Sequence, residues 1–276
     1  VRLAATLRSR SGRLIKLISL HAFALTGVRA ALAVLTLLPF VRLRTLRVDR
    51  TLLLLIPAFT ATQLCFVFAT RWSTAANAIA LQSTAPAWVF ALGVLATRRV
   101  QVPLLAPLGL IGAGIAVMLA EPAHGASLQG NLLGLVSGFT FAVTQFSFKR
   151  VNQPPVGAVL LANLGSLVSC LLLAPGAFQL GAVPPWEWVA LVYLGAVQIG
   201  LAFLCFMAGV RRITVSQASI LSLLEPLLNP LWVYLVIGEL PSGYGFAGFG
   251  LILAGILLDL WLRLMLPSLR RAGGGI

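Results

Sequence analysis

Two stretches decide the fold: Gly109-Leu110-Ile111-Gly112-Ala113-Gly114-Ile115 and, 141 residues further on, Gly250-Leu251-Ile252-Leu253-Ala254-Gly255-Ile256. Six of the seven positions are identical. The similarity extends upstream at a spacing of 140, where Leu64-Cys65-Phe66 recurs as Leu204-Cys205-Phe206, Arg71 as Arg211, Thr74 as Thr214, Ala78 as Ala218, Leu81 as Leu221 and Pro86 as Pro226. Register kept through three apolar segments marks an internal duplication rather than shared composition.

The segments carrying the repeat are too apolar for a soluble domain. Hydrophobic residues make up 59% of the 276 positions and charged residues 9%, against roughly 25% charged in soluble proteins. Windows of bilayer length predict membrane-spanning helices over 23–41, 52–70, 75–97, 104–120, 130–148, 156–178, 187–208, 214–237 and 243–266. These nine helices leave only short connectors, which excludes a separate soluble catalytic domain. Cys65, Cys170 and Cys205 lie within apolar runs and read as packing residues rather than a disulfide framework.

The net charge of +14 is a matter of topology rather than of nucleic-acid binding. Alternate connectors and the carboxyl tail hold Arg42, Arg44, Arg47, Arg50, Arg98, Arg99, Lys149, Arg150, Arg211, Arg212, Arg263, Arg270 and Arg271, whereas the opposite connectors hold only Arg71. Glu121, Glu187 and Glu239 fall on the arginine-poor side. The bias places the carboxyl terminus in the cytoplasm of a bacterial-type inner membrane.

An odd number of helices per repeat inverts the second copy, so five helices over about 130–266 call for five in the first half. The first of these belongs before Lys16, where Val1–Arg13 instead carries Arg2, Arg8, Arg10 and Arg13. Each arginine near a bilayer centre costs about 2.5–3.5 kcal/mol, so this segment is not expected to span. A lost or corrupted first helix is the expectation. A truncated or frame-shifted gene and a nine-helix variant with an interfacial basic segment are the alternatives, and a targeting peptide fits less well for want of a cleavage site. The expected fold is an all-α polytopic membrane protein of two inverted five-helix repeats, 1–126 and 127–267, followed by a cytoplasmic tail, 268–276.

The sequence resembles the ten-helix EamA-type carriers of the drug/metabolite transporter superfamily. The resemblance rests on Arg29, Pro86, Ala218-Ser219-Ile220-Leu221-Ser222-Leu223-Leu224-Glu225-Pro226, Ile237-Gly238-Glu239 and Gly248-Phe249-Gly250-Leu251-Ile252-Leu253-Ala254-Gly255. It implies small-molecule transport, often export of amino acids or other metabolites, by alternating access without ATP hydrolysis. The expected partners are a small-molecule substrate and the lipid bilayer, with no nucleic acid, no cofactor and no metal. The competing expectation is a non-transporting membrane protein that lacks its first cavity helix.

A carboxylate deep in an apolar helix is by default a functional group. Ser222, Glu225, Asn229 and Trp232 recur at spacings of three and four and share one helix face. Glu225 is therefore either a proton-exchanging or cation-pairing group, or a neutral structural glutamate bonded to a neighbouring helix. Pro86 and Pro226 interrupt equivalent helices and point to a midplane site nearby, with Gln82, one turn before Pro86, as the polar match of Ser222. Trp88, Phe141 and Gln145 complete the expected substrate cavity, the aromatics as walls.

Thr140, Thr144, Gln63, Asn163 and Ser166 supply hydrogen-bonding groups of the kind that more often join helices than bind ligand. Arg29 reads either as the partner of a substrate carboxylate or of Glu225, or as a residue near the outer interface that snorkels to headgroups; its nearness to the helix start favours the second. Trp186 and Trp188 read as interfacial anchors. The glycines near 109–114 and 248–255, including Gly248 and Gly250, favour close helix contact for packing or sliding. An isolated His21 and His124 and the lack of a Walker-type loop argue against an enzyme or an ATP-driven pump.

Overall fold

The computed structural model describes residues 15, 18–97, 102–120, 127–210 and 242–266, and these form helices with no strand among them. The helices are α1 (Ala22–Leu37), α2 (Leu52–Trp72), α3 (Ala75–Gln82), α4 (Ala85–Thr97), α5 (Leu105–Leu119), α6 (Leu128–Arg150), α7 (Pro155–Leu173) and α8 (Pro185–Val192). A π-helical segment, Tyr193–Leu201, continues α8 into α9 (Ala202–Val210), and α10 (Gly243–Met265) follows. The basic segment 1–13 and the predicted helix 214–237 lie outside the described residues.

Seven helical stretches are long and apolar enough to cross a membrane: Ala22–Phe40, Leu52–Trp72, Val102–Leu119, Leu128–Phe148, Pro155–Leu173, Pro185–Cys205 and Gly243–Leu262. Each answers a predicted span, so the chain is an all-α polytopic membrane protein. The span predicted over 75–97 is instead two helices, α3 and α4, each shorter than a bilayer.

Prolines account for most of the differences at the helix ends. The helix predicted over 156–178 stops at Leu173 because Ala174, ahead of Pro175, is pushed out of the helical region to φ −147 and ψ 64. Pro39 likewise converts the end of the span predicted over 23–41 to a 3-10 turn, Leu38–Phe40. Pro155 and Pro185 begin α7 and α8, where a missing N–H costs nothing. Elsewhere hydroxyls cap the starts: Thr74 accepts from the Asn77 amide, Ser127 from Gly130 and Ser242 from Gly245, each at 3.0 Å.

The principal helix pairs are α2 with α6, α5 with α10, and α1 with both α7 and the π segment. The largest apolar cluster joins Ile15, Ile18 and Leu20 to the start of α1, the end of α2, α3 and α8. Outward faces carry Leu53 at 77% exposure, Leu172 at 77% and Val189 at 72%. An apolar exterior on this scale suits hydrocarbon rather than water as solvent. Aromatic rings gather at the arginine-poor end, where Phe68 lies 5.1 Å from Trp72 and 6.0 Å from Phe23, and Trp186 and Trp188 stand exposed beside the loop.

Buried polar groups tie four of these elements together at the same end. Asn131 accepts from Ser73 Oγ at 2.6 Å and from Asn77 Nδ2 at 3.4 Å, and its own Nδ2 donates to the Met118 carbonyl at 3.1 Å. One α6 side chain thus holds the end of α2, the start of α3 and the end of α5. Asn131→Ala removes three hydrogen bonds shielded from water and should cost about 2–4 kcal/mol. The expected result is a clear drop in the thermal unfolding midpoint in detergent, and an unchanged midpoint would show that the network adds nothing.

Candidate functional site

In the gap between α3 and α4, hydroxyls share carbonyls that also accept backbone N–H groups, from Ser83 to Ile79 at 2.9 Å and from Thr84 to Leu81 at 3.2 Å. Ser83 Oγ donates to the Ile79 carbonyl at 2.8 Å, and Thr84 Oγ1 donates to the Leu81 carbonyl at 2.6 Å. The interruption therefore falls at Ser83–Thr84. Pro86, to which sequence reasoning assigned it, is the second residue of α4, exposed and in a first turn that needs no N–H from it.

The gap rests on glycines of α6. A β-carbon at Gly138 would come within 2.7 Å of the Leu81 carbonyl oxygen and 2.8 Å of Thr84 Oγ1, and one at Gly134 within 3.1 Å of Leu81 Cβ. The Gln82 carbonyl is 3.3 Å from the same point over Gly138. Two absent side chains let the irregular backbone lie against α6.

At about 100° per residue, α6 has distinct faces. Thr140 Oγ1 meets Thr62 Oγ1 of α2 at 3.0 Å, with Thr144 Oγ1 3.4 Å from the same oxygen, so these hydroxyls join helices as their residue type suggests. Asn131, Gly134 and Gly138 face α3, and the exposed Leu132, Val136 and Phe139 face outward. Phe141 and Gln145 lie one turn apart on the stripe between the α2-facing and α3-facing sides, and both remain exposed. An amide and an aromatic ring are thus exposed on α6 beside α2 and the broken helix.

Trp88, on α4, meets α6 at Phe139 with ring centroids 5.5 Å apart, rather than at Phe141. Its buried Nε1 has no acceptor among the described residues. Gln82, Pro86, Trp88, Phe141 and Gln145 are thereby distributed over the α3–α4 gap and the helix beneath it. Ser222, Glu225, Pro226 and Asn229 lie outside the described residues.

Arg29 overturns the interfacial reading. It is 3% exposed, seven residues into α1 and so about 10 Å along the axis, enclosed by protein rather than reaching headgroups. The approach of the π segment makes this possible, since a β-carbon at Gly195 would fall 2.7 Å from the Arg29 carbonyl oxygen and 2.6 Å from Leu32 Cβ. Arg29 Nη2 donates to Gln198 Oε1 at 3.4 Å, while Nε and Nη1 have no acceptor among the described residues. The sequence carries half the signal, an arginine in an apolar run. Gln198 and the π turn that presents it were not foreseen.

At the arginine-poor end a cavity of about 760 Å³ is lined by Ser19, His21, Arg71, Gly176, Gln179 and Val183 among others. Arg71 is spent on structure, donating to the carbonyls of Ile15 at 3.4 Å, Ile18 at 3.0 Å and Leu20 at 2.6 Å. Buried Glu187 accepts from Ser19 N and Oγ, both at 2.9 Å. These contacts seat the chain leading into α1 and give Arg71 a structural role.

A bundle of bilayer-length helices with a broken helix, a polar interior and an end cavity defines a polytopic membrane protein of the transporter kind. Comparison with known proteins agrees. Residues 128–261 match the EamA-like transporter family. An uncharacterised transporter of Archaeoglobus fulgidus is 34% identical over 236 residues, covering 84% of each chain. The uncharacterised transporter YwfM of Bacillus subtilis is 30% identical over 138 residues, covering 48% of this chain and 45% of that one. A crystal structure of a protein at 19% identity superposes with a TM-score of 0.64 over 95% of this chain and 96% of the other, a likeness of fold. The chain belongs to the EamA-like transporters of the drug/metabolite transporter superfamily.

Proposed function

We propose that the protein is a secondary exporter of small polar or amphipathic metabolites, amino acids among them, working by alternating access and doing no chemistry on its cargo. The observation that carries the reading is the exposed Phe141–Gln145 stripe beside the interrupted α3–α4 helix, a polar and aromatic surface next to the kind of broken helix that marks transporter binding sites. Glu225, with Ser222, Pro226 and Asn229, is assigned to the same cavity as its proton-coupling group.

The helix pairing supports two inverted halves, 1–126 and 127–267. Helices matched by the repeat pack against each other, α5 on α10 and α1 on α7, and the α1 contact with the π segment has its counterpart in α7 on α2. A pseudo-two-fold axis in the membrane plane would relate these pairings, and rocking about it would expose the cavity to either side. The charge bias sets the carboxyl tail, 268–276, in the cytoplasm of a bacterial-type inner membrane.

The test is uptake of a mixture of radiolabelled amino acids into inside-out vesicles with an acidic interior, compared with vesicles lacking the protein. Protein-dependent uptake that collapses when an ionophore dissipates the gradient is expected. Uptake equal in the two vesicle preparations would overturn the reading.

A further inference from the structure

We propose that Arg29 and Gln198 form a carboxylate-binding site in the membrane interior, and that its occupant is the acid group of the transported substrate. The inference rests on the exporter reading and narrows its cargo to compounds bearing a carboxylate.

The starting observation is electrostatic. A guanidinium stays protonated in proteins, and enclosing one away from water is expensive unless an anion or a full set of acceptors offsets the loss of hydration. Arg29 is 3% exposed, and its one acceptor among the described residues is a neutral amide oxygen at the long end of hydrogen-bond range. Nε and Nη1 have no acceptor among the described residues.

The acids of the described residues are engaged elsewhere. Asp49 accepts from the Thr51 amide at 3.0 Å and the Asn152 amide at 3.4 Å in the connectors, Glu187 is held by Ser19, and Asp259 lies on α10, which has its principal contact with α5. The donors left over on Arg29 match the oxygens of a carboxylate.

The surrounding backbone suits a site that loads and empties. Gln198 sits in a nine-residue π segment, an uncommon helix form that re-aims side chains and is frequent at functional positions. Gly195 brings that segment onto the backbone of Arg29 itself, so any shift of the π segment against α1 changes the separation of guanidinium and amide. The end cavity opens at Ser19–His21, directly before α1, and its lining residues Gly176, Ala177 and Gln179 flank Phe178. The Phe178 ring covers Gly27, where a β-carbon would come within 2.7 Å of it. The cavity thus borders the start of the helix that carries Arg29.

The experiment uses the full chain in proteoliposomes and three matched competitors of amino-acid flux: L-phenylalanine, L-phenylalaninamide and 3-phenylpropionate. The two acids should compete at least tenfold better than the amide. Arg29→Gln should erase that difference and raise the KM for L-phenylalanine at least tenfold, while Arg29→Lys, which keeps the charge, should retain part of it. Equal competition by acid and amide in the wild-type protein would overturn the site. So would acid preference surviving in folded Arg29→Gln.

A double variant, Arg29→Gln with Glu225→Gln, that regains acid-selective exchange in the absence of a gradient would mean that Arg29 serves Glu225 instead, which also overturns the proposal. If Arg29→Gln fails to fold, the wild-type competition and Arg29→Lys decide. Absence of flux for every compound in the wild-type protein strikes the exporter reading itself, a result distinct from flux without acid preference.

Discussion

Gly114→Leu is expected to abolish the well-folded protein at ordinary growth temperature, whereas Gly250→Leu leaves it intact. The two glycines belong to matching motifs, yet their surroundings are opposite. A β-carbon at Gly114 would lie 2.5 Å from the Gly248 carbonyl oxygen and 2.8 Å from Ile252 Cγ1, while at Gly250 it would meet nothing within 4 Å. The contact at Gly114 is with backbone, which has no rotamer to change, so α5 and α10 must separate.

The reciprocal contacts, Gly248 on Met118 and on the Gly114 carbonyl and Gly255 on Ile111 and the Pro107 carbonyl, would loosen together. Over-packing a tight core costs roughly 1–3 kcal/mol, and more where backbone must move. Leucine at Gly250 meets no such obstacle and favours the helix by about 1 kcal/mol. Size-exclusion profiles and unfolding midpoints in detergent measure both; equal behaviour of the two variants would refute the close seam.

Glu225→Gln is expected to abolish gradient-driven flux while leaving expression and the unfolding midpoint unchanged. The substitution keeps the shape and hydrogen-bonding capacity of a protonated glutamate and removes only its ability to release a proton. A coupling residue must alternate between protonation states during the cycle, so locking it in a neutral form leaves at most exchange that needs no gradient. Glu225→Leu separates packing from chemistry, since it removes the hydrogen bonds as well. Gradient-driven uptake that persists unchanged in Glu225→Gln across a range of pH would remove the coupling role and leave the structural one.

Much of the architecture is legible in the residues because spanning a bilayer imposes a length and a composition. The predicted spans are met closely wherever an apolar run is bounded by proline or a capping hydroxyl, as at Ser127, Pro155, Pro185 and Ser242. The misplacements at Leu38–Phe40 and Ala174 arise because a hydropathy window averages over a proline that the backbone cannot ignore. The gap at Ser83–Thr84 lies two residues ahead of Pro86 for a related reason. Proline marks a helix start as readily as a break, and here it stands in the first turn of α4.

The candidate site was less legible. Glycine near 109–114 and 248–255 announces close packing, but Gly109, Gly112 and Gly250 face open space and Gly114, Gly248 and Gly255 make the seam. The sequence also made Arg29 interfacial, since its distance from the helix start was visible and the helix that encloses it was not.

By itself the sequence determined the solvent of this protein and the length and approximate ends of its helices. Both follow from hydropathy and proline along one chain. Tertiary structure alone decided which face of each helix meets protein, lipid or cavity. In lipid an apolar face carries no label, because leucine is equally at home against a neighbouring helix and against a hydrocarbon tail. Only the close approach of one backbone to another, at Gly138, Gly195 and Gly114, settles what lies inside.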